Sequence, residues 1–240
     1  MKKINSFKLW CEILRADIKK QILDLSNLDL SNMNMCKANL YGADMHNSNM
    51  SHADMHNTDM RYANMKRTDM SHADMHNTDM RYADMKRTNM SYANMRHTDM
   101  RYADMKHTNM SHTDISYADM RYADMKYADM KHTNMSHADM SHADMHNTDM
   151  SHADMHKLKI YKANLQFCTY NTAKFRLIQL TKHNLFYDKS IDLLTIGCEK
   201  HSLKDWNMNY NEIGRNNQYS KADLELYGLI IKKLYNEFFK

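Results

Sequence analysis

From Leu25 to Leu165 every fifth position of the chain is apolar. The column runs Leu25, Leu30, Met35, Leu40, Met45 through Met110, Ile115, Met120 through Met155, Ile160 and Leu165. Two residues before each of these stands Leu23, Leu28 or Met33, then mostly Ala or Thr from Ala38 to Ala163, and the residue between is mostly Asp or Asn. The two positions after each Met are polar or aromatic. The block Ser51–Met70 reads SHADMHNTDMRYANMKRTDM and the next, Ser71–Met90, reads SHADMHNTDMRYADMKRTNM; they differ only by Asn64 becoming Asp84 and Asp69 becoming Asn89.

No straight element accommodates this pattern. Five residues of α-helix advance about 500°, so the methionines would scatter over every face. In a straight strand Ala53 and Met55 share a face, but Thr58 is three residues further on and points the other way. If instead the chain turns by roughly 90° after each short extended segment, every Ala-x-Met pair faces one axis. Four segments then close a square coil of 20 residues, and successive coils stack at about 4.8 Å, the spacing of paired strands. The near-identity of blocks one coil long supports the same count independently. The expected core therefore includes Met55, Met60, Met65, Met70, Met75, Met80, Met85, Met90, Met95 and Met100.

The unit A-(D/N)-M-x-x resembles the A-(D/N)-L-x-x signature of the pentapeptide-repeat family, over about residues 21–175. That resemblance implies a right-handed quadrilateral β-helix. Met replaces the Leu or Phe usual in the family; being flexible, it still fills such a column. The predicted fold is an all-β solenoid of about seven coils, with ends that need capping. The predicted organisation is an N-terminal helical cap over 1–20, the β-helix over 21–175, and a C-terminal extension over 176–240, a small α/β or α subdomain.

In the cap, Phe7–Ile22 spaces Trp10, Ile13, Leu14 and Ile18 like an amphipathic helix. After Ala173 the five-residue frame dissolves. Asp192–Cys198 reads as a strand ending at Gly197. Ser202 opens a helix containing Trp206, and Ser220 caps a last helix with Leu224, Tyr227, Ile231, Leu234 and Phe238 along one side. The stretch TIGCEKHSLKDW and the final helix resemble tails on proteins of phages and large DNA viruses.

Composition adds limits. Pro is absent and Gly appears only 4 times, while Met reaches 26 and His 16. The four cysteines, Cys11, Cys36, Cys168 and Cys198, form no CxxC pair, and scattered thiols suit a reducing interior. Lys8, Glu12, Arg15 and Asp17 interrupt any leader-like apolar run, and nothing approaches a membrane-spanning length. The expectation is a soluble, intracellular, cytoplasmic protein that does not contact a membrane.

Candidate chemistry lies outside the coil. One face repeats Arg61-Tyr62, Arg81-Tyr82, Arg101-Tyr102 and Arg121-Tyr122; the next repeats Lys66-Arg67, Lys86-Arg87, Lys106-His107 and Lys126-Tyr127. With a net charge of +4, these two faces are the candidate strip for nucleic acid or another anion. Asp residues on the same rungs offset the field, so a solvated, self-compensating surface is the plainer account. A second ladder, His52, His72, His112, His132 and His152, interrupted by Tyr92, lacks the third and fourth ligands that a metal would need. Cys198 and His201 sit three apart, but no third group or oxyanion site is legible beside them, and a buried thiol with a surface imidazole accounts for both.

The composite expectation is a non-catalytic protein-interaction or scaffold module, without metal or cofactor, whose partner is a protein. Nucleic-acid or anion binding through the Arg-Tyr and Lys-Arg ladders is the alternative. The family resemblance adds imitation of duplex DNA toward a type II topoisomerase, although this repeat lacks an acidic excess, and a homodimer formed through the last helix.

Overall fold

The computed structural model describes the chain except residues 6–8, 11, 14–20, 171–174, 180–183, 190, 197–198 and 240. It divides into two compact units, Met1–Asn171 and Thr172–Lys240.

In the first unit the residue between Ala/Thr and Met bridges, in parallel, the residue one coil later: Asp59 with Asp79, Asp79 with Asp99, Asp99 with Asp119. The same 20-residue register runs from Asp24↔Asp44 to Asp144↔Asn164. Each side of a coil is thus a very short extended segment. Its backbone groups are taken up by the coils on either side: Met60 N–H donates to the Asp79 carbonyl at 2.8 Å, and Asp79 N–H donates to the Thr58 carbonyl at 3.1 Å. Two-residue strands mark the ends of this ladder. β1 (Lys2–Lys3) pairs in parallel with β2 (Leu28–Asp29), and β3 (Asp149–Met150) pairs with β4 (Thr169–Tyr170).

Between segments the chain turns in two residues. Ala63 N–H closes onto the Met60 carbonyl at 3.2 Å, and Tyr62, third residue of that turn, has φ 60°. A positive φ at that place is what a type II turn requires. Gly42 occupies the slot at φ 63°, as do Asn47, Asn57, Asn77 and Asn147. Tyr, His, Arg and Lys occupy it elsewhere, which is costly for side chains that disfavour left-handed backbone and is tolerated because the ladder over-determines the turn.

The Asp/Asn position explains itself at the same turn. Asp59 Oδ1 accepts the Arg61 N–H at 3.1 Å, and Asn49 Oδ1 accepts the Ser51 N–H at 3.0 Å. Such side-chain-to-backbone bonds imitate a turn of main chain. Both residues present the same oxygen, so the swaps at 64/84 and 69/89 preserve the bond. Where Asn follows Asp one coil later the amide also donates back to it, as Asn64 Nδ2 does to Asp44 Oδ1 at 3.0 Å.

The interior is a filled column. Met55, Met60, Met65, Met70, Met75, Met80, Met85, Met90, Met95 and Met100 are fully buried, with Ala or Thr beside them. Buried hydroxyls need partners. Thr58 Oγ1 donates to the Met55 carbonyl at 2.7 Å within its own turn, and Thr88 Oγ1 donates to the Met65 carbonyl at 2.7 Å on the coil before.

Most of the predicted helix Phe7–Ile22 lies outside the described residues; of its apolar positions Ile13 is buried and Trp10 is 38% exposed.

The second unit is an antiparallel sheet in chain order, β5 (Phe175–Gln179), β6 (Asn184–Asp188), β7 (Leu193–Ile196) and β8 (Glu199–His201), followed by helices α1 (Leu203–Asn216) and α2 (Lys221–Phe239). The strand expected over Asp192–Cys198 is β7, shorter at both ends; Gly197 and Cys198 fall outside the described residues. β5, β6 and β8 were not expected. β6 is buried along its whole length, so the alternation that marks a half-buried strand is missing. Sheet then helices is neither an alternating α/β unit nor an all-α one, which corrects that expectation. Asp205 N–H donates to the Ser202 hydroxyl at 2.9 Å, and Ser220 and Asp223 bond reciprocally at the start of α2. Trp206 Nε1 donates to the Leu194 carbonyl at 2.8 Å and anchors α1 to the sheet. Gly228 allows α2 to approach Tyr210 of α1, whose ring lies 2.6 Å from where a Cβ would stand.

Candidate functional site

The 20-residue register turns every surface residue into a column. The Arg-Tyr column is the most regular of these. Tyr62, Tyr82, Tyr102 and Tyr122 stack face to face at 4.9, 5.0 and 4.9 Å between centroids, tilted by no more than 5°, and His142 continues the stack at 4.7 Å. The rings are about half exposed, from 46% for Tyr82 and Tyr122 to 52% for Tyr62. They leave no gap wide enough for a base to enter, so the column offers ring edges and hydroxyls rather than open faces.

Beside each Tyr the Arg is held. Arg61 Nε donates to Asp59 Oδ1 at 2.8 Å and Nη2 to Asp59 Oδ2 at 2.6 Å, a bidentate fork. Its Nε also lies 3.6 Å from Asp79 of the following coil. Arg81, Arg101 and Arg121 repeat the fork with Asp79, Asp99 and Asp119 at 2.6 Å. The resulting row alternates carboxylate and guanidinium. The hydrogen bond from Arg61 is the main influence holding Asp59 below the ordinary carboxylate range, against the opposing effect of burial; the Arg61 N–H and the charges of Arg61 and Arg81 add to it. At Asp119 burial is the largest single influence and acts upward, but the bonds and charge of Arg121 and the charge of Arg101 outweigh it.

The Lys column is neutralised across coils. Lys66 Nζ lies 2.9 Å from Asp84, Lys86 lies 2.7 Å from Asp104, Lys106 lies 2.8 Å from Asp124, and Lys126 lies 2.9 Å from Asp144. Of the candidate strip's Arg and Lys, only Arg67 and Arg87 carry no ion pair among the described residues; with Lys66, Lys86, His46, Asn47, Asn64 and the carboxylate of Asp44 they line an open groove. Their column then changes to His107 and Tyr127, which stack at 4.9 Å. The sequence places all these residues on the expected faces but does not reveal how completely Asp consumes their charge.

The His column stacks as well. His52–His72, His72–Tyr92, Tyr92–His112, His112–His132 and His132–His152 lie 4.7–4.9 Å apart and nearly parallel. Imidazole lone pairs lie in the ring plane, so stacked rings aim theirs side by side rather than at a shared point. Among the described residues no group of three or more His, Cys, Asp or Glu is arranged to hold a metal ion. Among the described residues no helix is long and apolar enough to cross a membrane.

The pattern described as "Pentapeptide repeats" matches the chain in 8 copies over residues 24–57, 48–87, 78–116, 118–156 and 128–166. Similar solved structures include QnrB1, a plasmid-mediated fluoroquinolone resistance protein, at 13% identity and TM-score 0.29 over 62% of this chain and 94% of that one. HetL, a pentapeptide repeat protein involved in heterocyst differentiation regulation from the cyanobacterium Nostoc sp. strain PCC 7120, is 21% identical with TM-score 0.22, over 65% and 92%. Rfr23 from the cyanobacterium Cyanothece 51142 is 12% identical with TM-score 0.28, over 68% and 99%. No curated protein matches the chain.

Proposed function

For a chain that belongs to the pentapeptide-repeat family, whose fold is a right-handed quadrilateral β-helix, we propose a non-catalytic protein-interaction module of about seven coils that presents its Arg-Tyr face to a protein partner. One observation carries this reading: four half-exposed tyrosines stand in a parallel stack beside arginines whose charge is already matched by Asp59, Asp79, Asp99 and Asp119. A face of this kind has aromatic area held at low entropic cost and little net field, and Tyr and Arg are the residues that carry binding energy at protein interfaces. A phosphate backbone asks for the opposite, unmatched cations. A decoy of duplex DNA asks for unmatched carboxylates, and on these two faces the Asp rows carry Arg and Lys.

The test replaces Tyr62, Tyr82, Tyr102 and Tyr122 together with Ser and compares what intact and substituted chains retain from an extract of the source cell. A protein held by the intact chain and released by the four substitutions supports the reading. Equal retention by both chains rejects the Tyr column as the contact.

The groove at Arg67 and Arg87 favours a second reading, an anion-binding site on the adjacent face. Arg67→Gln with Arg87→Gln would then abolish a salt-sensitive mobility shift of single-stranded nucleic acid. Absence of any shift at low salt removes this reading and leaves the first intact. In the second unit, α2 leaves Leu226 at 44% and Leu229 at 70% exposure, which supports a homodimer contact there; a monomeric mass in solution excludes it.

A further inference from the structure

Cys36 stands twenty residues before His56, but the register sets the two in one column, a single coil apart. Cys36 Sγ is 2.9 Å from His56 Nε2. The other ring nitrogen, Nδ1, is in hydrogen-bond contact with Asp54 Oδ1. An ionised carboxylate only accepts, so in the neutral imidazole Nδ1 carries the proton and Nε2 turns its lone pair toward the thiol. Below, the His56 ring rests on His76 at 4.9 Å and 3°, and Asp74 Oδ1 holds His76 Nδ1 at 2.7 Å, so the ring is fixed from two sides. The side chains of His56 and Asp54 are 26% and 38% exposed, within reach of a small molecule, and the Cys36 thiol is free.

We propose that Cys36 is a thiol–disulfide exchange site for small disulfides, with His56 as its base and Asp54 as the residue that positions the base. A thiolate, not a thiol, is the nucleophile. The Cys36 S–H proton passes to His56 Nε2. The sulfur then attacks one sulfur of the disulfide; the new Cys36 S–S bond forms as the old S–S bond breaks. The departing thiolate takes the proton from Nε2 and leaves as a thiol. Cys36 is oxidised, half of the disulfide is reduced, and no further oxidant is required. A free thiol reverses the step.

The surroundings fit this chemistry better than acyl transfer. An acyl intermediate needs free N–H donors for its oxyanion. Here the Cys36 N–H is taken by Asn34 Oδ1 at 3.0 Å and the Lys37 N–H by the His56 carbonyl at 3.1 Å. Disulfide exchange makes no oxyanion.

Cys168 is the built-in control. Its Sγ donates to the Met145 carbonyl at 2.8 Å, and burial, chiefly, pushes its thiol up to about 11.

The experiment treats the full chain with dithiodipyridine near pH 7, follows thiopyridone release, and assigns each thiol by peptide mapping. Cys36 is expected to react at least about tenfold faster than Cys168. His56→Gln should slow Cys36 about tenfold and leave Cys168 unchanged, while Asp54→Asn slows Cys36 less, since the amide oxygen still accepts from Nδ1 but without the charge that stabilises a protonated imidazole. Circular dichroism checks that the coil persists. Equal rates at Cys36 and Cys168 in the unaltered chain overturn the proposal, whether or not the variants fold. So does a Cys36 rate that His56→Gln, folded, leaves unchanged.

Discussion

In the first unit a buried side chain has copies of itself for neighbours in the column: Met60, Met80 and Met100 occupy equivalent places on successive coils, and all are fully buried. In the second unit nothing is repeated. Trp206 fills one place among Leu185, Tyr187, Leu194, Ile196 and Tyr227 and meets its single polar need at the Leu194 carbonyl. The first arrangement distributes stability over equal, nearest-neighbour increments. The second concentrates it in a few irreplaceable contacts. A defect should therefore stay local to one coil in the first unit and should undo the whole cluster in the second.

Met85→Asp puts that contrast under the greatest load. It places an unpaired carboxylate in a fully buried site and should cost at least about 4 kcal/mol, read as a lowered denaturation midpoint of the coil. Amide exchange should quicken most in the coils next to residue 85; uniform quickening over both units would break the comparison. Trp206→Phe comes next, at about 2 kcal/mol, because the Leu194 carbonyl loses its donor and the cluster loses volume. Its exchange signature should cover β6, β7, α1 and α2 together.

pH separates the units with smaller contributions per group. Asp59, Asp104, Asp119 and Asp144 are held below their unfolded values, so each contributes stability above the ordinary carboxylate range that is lost as pH falls through its lower folded value. The coil should weaken below about pH 4. Tyr227 runs the other way: burial, with the Asp223 charge, pushes it up to about 12, and Tyr187 is raised as well by burial and by Asp192. Their contribution is complete below the unfolded Tyr value of about 10 and is lost as pH rises through the folded one. Separate acid and alkaline transitions in circular dichroism would sharpen the comparison; a single coincident transition would blunt it. His72→Ser closes the series, with a change within about 0.5 kcal/mol, since the side chain is exposed and outside the filled interior.

The same contrast governs what the sequence revealed. A column of Met at every fifth residue is legible because only a four-sided coil reconciles it with a buried core, and the repetition averages over local exceptions such as Ile115. Surface positions were legible as columns too. What escaped was the pairing between coils: the reach of Arg61 to Asp79, the Thr88 hydroxyl on the Met65 carbonyl, and the contact of Cys36 with His56, twenty positions away. The left-handed corner had one visible signal, Gly42 and several Asn in a single slot, diluted by Tyr and His in the same slot. In the second unit β6 escaped because complete burial erases alternation, whereas α1 and α2 were announced by Ser202 and Ser220, whose capping bonds depend on nothing remote.

The four-sided turn gives the chain a dial. Because every five-residue unit offers the interior the same Ala or Thr and Met, inserting one unit leaves the column filled yet rotates all later faces by a quarter turn, so that the Tyr102 column would continue the row of Arg67 and Arg87. Inserting four restores the alignment and only lengthens the ladder. Reach and heading can thus be reset separately, by additions that leave the interior intact.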